Sequence, residues 1–181
     1  MNPAYMEQWK EIYSPQCRKG LFLHFEREVH DYVRDWLCEY ARWLRKKYVF
    51  PVRIHVYCRY GDTVPCRYSA PAASVMLIPD DRNCYANIRL ACGSFRGDKP
   101  VTNGMWDETQ GIMYLLTRHI MHYYQFINGR WNVDESGERI LEWQASYYAG
   151  RILHWFLDEY DDDDTEGTKT GSLFHTGNRS V

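Results

Sequence analysis

Leu116-Thr117-Arg118-His119-Ile120-Met121-His122-Tyr123-Tyr124-Gln125 lies inside a run of helical spacing and carries two histidines three residues apart. Side chains three apart on a helix are neighbours on one face. On that helix Ile112, Leu115, His119, Tyr123 and Phe126 form one stripe, with His119 at its centre. His122 falls toward one edge and Arg118 further round that edge. An i, i+3 pair can ligate a metal; it can also be two packing histidines satisfied by hydrogen bonds. Arg118 is a donor that stays protonated, so it cannot be a metal ligand.

Outward from this stretch, a helix is expected from about Met105 to Ile127, stopped by the C-cap pair Asn128-Gly129. A second is expected from an N-cap at Ser136 to Tyr160. Upstream, Phe22, Phe25, Val29, Val33, Trp36, Leu37, Tyr40, Ala41 and Leu44 recur at helical intervals, predicting a long amphipathic helix from Leu21 to Tyr48. Arg45-Lys46-Lys47 suits its C-terminal end, and Pro51 bars continuation. The period then changes to two. Val52 to Cys58 alternates as a half-buried strand, and Ser74 to Ile78 and Tyr85 to Ala91 predict two more. Gly93 to Gly104 reads as loop. Helix, three strands, helix, helix is the order of an α+β layer on a small three-stranded sheet.

At 181 residues with 45% hydrophobic and 16% aromatic composition, the chain has ample material for one core, so a single domain over residues 1–160 is expected. The remainder, 161–181, reads as an acidic, polar tail: seven carboxylates fall within residues 158–166, Asp161, Asp162, Asp163 and Asp164 among them. That strip either is solvated or docks on a basic partner surface. A net charge of −2 gives no pull toward nucleic acid, and no apolar run is long enough to span a bilayer. The start of the chain lacks a signal-peptide core, so a cytoplasmic location is expected. Six cysteines without a C-x-x-C pair read as reduced thiols rather than a zinc-thiolate site. Neither a G-x-S-x-G elbow nor a P-loop is present. Trp131, in the polar stretch from Asn128 to Ser136, is a candidate interface anchor.

From Tyr85 to Phe156 the chain resembles small single-domain zincin-like metallopeptidases of bacteria and their phages, of gluzincin type. That group has a strand ending in an alanine-glycine turn, a helix reading L-x-H-E-x-x-H-Y-x-Q, and a second helix reading E-x-x-A. Here the strand reads Ile88-Arg89-Leu90-Ala91-Cys92-Gly93, the helix Leu116 to Gln125, and the second helix Glu142-Trp143-Gln144-Ala145. The resemblance implies a zincin-like α+β fold with the site remnant on the last two helices. It also implies Glu142, or Glu138 one turn earlier, as the third ligand position. The defining motif fails: Arg118 stands where the first ligand belongs and His119 where the catalytic glutamate belongs.

Arg118, His119, His122, Tyr123, Gln125 and Glu142 are thus a motif remnant with no residue assigned to catalysis. The expected function is a catalytically degenerate, zincin-like protein-binding scaffold without a cofactor. By association with the family, it is a phage or mobile-element inhibitor of a host defence protein. The alternative is a zinc-dependent metallopeptidase or hydrolase with a rearranged site of His119, His122 and Glu142. Under the first reading Arg118 pairs with Glu142, because a buried carboxylate left without its cation would cost several kcal/mol.

Overall fold

Leu21, Leu23 and Phe25 alternate with Phe22 and His24, and parallel pairing with the strand after Pro51 makes this short stretch extended. In a computed structural model the segment is a strand, β1 (Leu21–Phe25), rather than the first turns of a helix. The structure describes residues 20–66, 70–77, 86–93, 102–103, 106–130 and 134–166, with the side chains of 102–107 and 161–166 left out. The expectations for Trp131, Cys17, Cys84 and 167–181 lie outside the described residues. Gly20 leads into β1 where any side chain would collide with the Phe50 carbonyl.

Helix α1 (Asp31–Lys47) begins ten residues later than expected, after a turn closed by the Val29 amide on the Glu26 carbonyl. His30 caps it, its Nδ1 accepting the Tyr32 amide at 3.1 Å. The remaining strands are β2 (Ile54–Arg59), β3 (Ser74–Leu77) and β4 (Ala86–Ala91). A hairpin of β5 (Thr102–Asn103) and β6 (Trp106–Asp107) follows, where loop and the first helical residues were expected. Helices α2 (Glu108–Ile127) and α3 (Glu135–Glu166) complete the chain.

The main sheet therefore has four strands, in the order β1-β2-β4-β3, instead of three. The first three run parallel, and β3 is an antiparallel edge. Register puts Leu21 opposite Ile54 and Ile54 opposite Ala86, so one face is apolar throughout. That face carries Leu21, Ile54, Val56, Cys58, Ala86, Ile88 and Leu90, all buried. It meets α1 and α2. Burial of this kind contributes roughly 25 cal/mol for each Å² of apolar surface, which makes the face the main source of stability.

Helix α2 is buried nearly all round, not along one stripe: Met113, Leu116, Ile120, Tyr123 and Tyr124 are all fully covered. It packs on β3 and β4 on one side and along α3 on the other. The C-terminal half of α3 closes on α1. Trp43 Nε1 and Lys47 Nζ each reach a Glu159 carboxylate oxygen at 2.7 Å, and Phe156 packs against Trp36 and Tyr40. The N-cap of α3 is Asp134, whose Oδ1 accepts the Gly137 amide, rather than Ser136. Because α3 runs to Glu166, the backbone of Asp161 to Asp164 is helical, and the acidic run starts inside an element. Among the described residues no helix is long and apolar enough to cross a membrane.

Candidate functional site

Helix α2 presents Arg118, His119 and His122 toward two different neighbours, and spacing decides which meets which. His119 faces the sheet edge: its Nε2 lies 2.9 Å from Ser74 Oγ on β3. Arg118 and His122 face α3. Arg118 Nε donates to Glu142 Oε1 at 2.5 Å, and His122 Nε2 lies 3.1 Å from the other carboxylate oxygen, Oε2. Ser146, one turn on, donates to Glu142 Oε1 at 3.2 Å. Close approach of the two helices is possible because α3 turns its small residues, Ala145 and Ala149, inward, both fully buried.

The expected Arg118–Glu142 pair is therefore present, although the expected burial is not. Glu142 keeps 45% of its side chain exposed and Arg118 keeps 30%. Burial pushes the Glu142 carboxyl up. The Arg118 hydrogen bond and charge, then His122 and Ser146, outweigh it and hold the group below the usual carboxylate range.

His119 is in the opposite condition. It is 7% exposed, and its pKa is pushed down to about 3, first by burial and then by the His122 and Arg118 charges, against an opposing pull from Glu142. The ring is neutral at physiological pH. Its Nδ1 is buried and meets no partner among the described residues. An unmet acceptor costs less than an unmet N–H, so the proton belongs on Nε2 and is donated to Ser74. In that state the lone pair of His119 lies on the buried Nδ1.

The proton on His122 Nδ1 follows from its neighbours as well. Gln125 Nε2 donates to the Leu141 carbonyl at 2.9 Å, which leaves Gln125 Oε1 as an acceptor, 2.8 Å from His122 Nδ1. His122 Nδ1 must then carry a proton. Glu142 thus sits between the Arg118 guanidinium and the His122 ring.

The rest of the remnant is structural. Tyr123 Oη donates to the Val52 carbonyl at 2.6 Å and accepts the Val52 amide at 3.0 Å. Tyr124 Oη donates to the Val49 carbonyl. These two tyrosines fasten the segment that feeds β2. His154, by contrast, lies about three turns beyond Glu142 along α3, where it faces Asp158 one turn on, and takes no part.

Helix α3 and His122 border a cavity of roughly 920 Å³ that also takes in Glu135, Glu138, Arg139, Leu141, Glu142, Trp143 and Ser146. Glu138 therefore opens into the same space as Glu142 but is not joined to either histidine. The cavity and the exposed Trp143 were not singled out by sequence. The only signal was the break in helical polarity at Ile140 and Trp143, two large apolar residues on a surface of Glu, Arg and Gln.

Among the described residues no group of three or more His, Cys, Asp or Glu is arranged to hold a metal ion. His119 is turned to Ser74, while His122 and Glu142 are turned to each other and to Arg118. The donors as arranged do not fit a zinc ion. Compared with models of known protein families, with curated proteins and with solved structures, the chain matches none.

Proposed function

We propose that this chain is a zincin-like protein in which a guanidinium has taken the place of the metal. It is catalytically degenerate and acts by binding another protein. The single observation that supports this reading most is Arg118 Nε on Glu142 Oε1 at 2.5 Å. A fixed cation from the helix occupies the position where that family's ligand set would hold a mobile one. A host defence protein as partner follows from the family association alone.

The rival reading, a zinc-dependent hydrolase, draws on the 3.1 Å approach of His122 Nε2 to Glu142 Oε2, two atoms that can share a metal. Restoring the motif tests the proposal. Arg118→His places two imidazoles one turn apart beside Glu142, and Arg118→His with His119→Glu adds the base. Both variants are expected to bind zinc in about a 1:1 ratio by calorimetry. Folded variants that take up no zinc would mean that the helices do not converge as in that family.

A further inference from the structure

The N-terminal half of α3 keeps an apolar ridge in water. Ile140 is 55% exposed, Trp143 65% and Tyr147 46%, although Trp and Ile are among the residues most often covered. They stand at i, i+3 and i+7, which is the spacing with which one helix receives another. Trp143 and Tyr147 are stacked, with ring centroids 5.5 Å apart and planes 14° from parallel. Arg151 sits over the Tyr147 ring at 5.8 Å and closes the ridge at that end. The two rings are thus held in place before anything covers them, which lowers the ordering cost of covering them.

Charge beside the ridge selects what can cover it. Glu135, Glu138 and Glu142 line the adjoining cavity against one guanidinium of the same helix, Arg139. Glu135 and Glu138 lie in the first turn of α3, where carboxylates favour the helix dipole, so they alone would indicate nothing. Set next to an exposed tryptophan, they make one border of an apolar ridge negative. Glu142 is already engaged by Arg118 and His122, whereas Glu135 and Glu138 are exposed.

We infer that the Ile140–Trp143–Tyr147 ridge of α3 docks an amphipathic helix of a partner protein whose flank carries lysine or arginine. The apolar side of that helix covers the Trp143–Tyr147 stack. Its cations enter the cavity at Glu135 and Glu138, and one of them faces the open side of the Trp143 ring. This deepens, and rests on, the reading of the chain as a protein-binding scaffold.

The test uses the full chain and a fluorescein-labelled synthetic helix of leucine and lysine, with the same helix carrying glutamate for lysine as control. Fluorescence anisotropy is expected to show binding of the lysine helix and none of the glutamate helix. Trp143→Ser and Glu135→Lys/Glu138→Lys should each weaken binding about tenfold or more. Glu28→Lys, in the turn after β1, should leave it unchanged. Equal affinity for all four proteins would overturn the inference. So would self-association of the unmodified chain that Trp143→Ser abolishes, because the ridge would then belong to a second copy. Zinc is measured in the same samples. Zinc-free protein that fails to bind sinks this inference alone. Protein with about one zinc per chain that fails to bind removes the scaffold reading with it.

Discussion

At the scale of residues, the Arg118–Glu142 pair is, under the proposed reading, an exchange of one cation for another, and its energetic weight follows from its exposure. A carboxylate with 45% of its side chain in water does not depend on a counter-charge as a buried one does. A double-mutant cycle with Arg118→Ala and Glu142→Ala, followed by urea unfolding, should give a coupling of about 0.5–1 kcal/mol. A coupling several times larger would mean that the pair is closed off from solvent. His119 makes the opposite prediction, because it is buried. Its folded value of about 3 lies below the ordinary histidine value of roughly 6.5. Between those two pH values the unfolded chain binds a proton that the native state does not. Stability should therefore fall as pH drops through this window, by up to about 1.4 kcal/mol per pH unit. Glu142, held low, adds stability that is present above its unfolded pKa and is lost as pH falls through its folded value, in the same direction but at lower pH. Thermal melts at neutral and mildly acidic pH should show a smaller acid loss in His119→Gln, which keeps a donor for Ser74. An identical loss in both proteins would assign the effect to other groups.

At the scale of elements, the parts legible in the sequence were those with a long, unmixed period. Helices α2 and α3, strands β2, β3 and β4, and the C-terminal part of α1 were expected close to where they lie. Strand β1 was missed because Phe22 and Phe25 fit a helical interval as well as Leu21, Leu23 and Phe25 fit a strand. Five residues do not separate the two periods, and pairing with β2 decided it. The hairpin β5–β6 was missed for a related reason, since two-residue strands carry no period at all. The spacing of His119 and His122 was legible, but their direction was not. The same helix meets an edge strand on one side and α3 on the other, and only packing distributes the two rings between them. Tyr123 shows what the tyrosines of the remnant contribute. Its hydroxyl serves both backbone groups of Val52. Tyr123→Phe leaves the donor and acceptor of that segment unmet and should cost about 1–3 kcal/mol. Chemical denaturation of that variant against Tyr147→Phe, which removes a hydroxyl from an exposed ring, checks it. Equal stability of the two would remove the role of Tyr123 as a fastener.

At the scale of the whole molecule, one sheet face, α1 and α2 form the core, and α3 is attached to it twice. Its C-terminal half is fixed to α1 through Glu159 and Phe156, and its N-terminal half to α2 through Glu142. The first attachment is an aromatic and polar contact, and the second is the more extensive, with Ala145 and Ala149 buried beside the Glu142 cluster. The helix is thus anchored along its length, while one face of its N-terminal half, the Ile140–Trp143–Tyr147 ridge, stays exposed. The central claim, that Arg118 stands in for the metal, is tested most directly by the metal content of the chain purified without added metal. Mass spectrometry of the native protein should find zinc far below one ion per chain, and no rise in zinc-free samples given zinc and then desalted. About one zinc per chain, lost in His122→Ala and in Glu142→Ala, would contradict it.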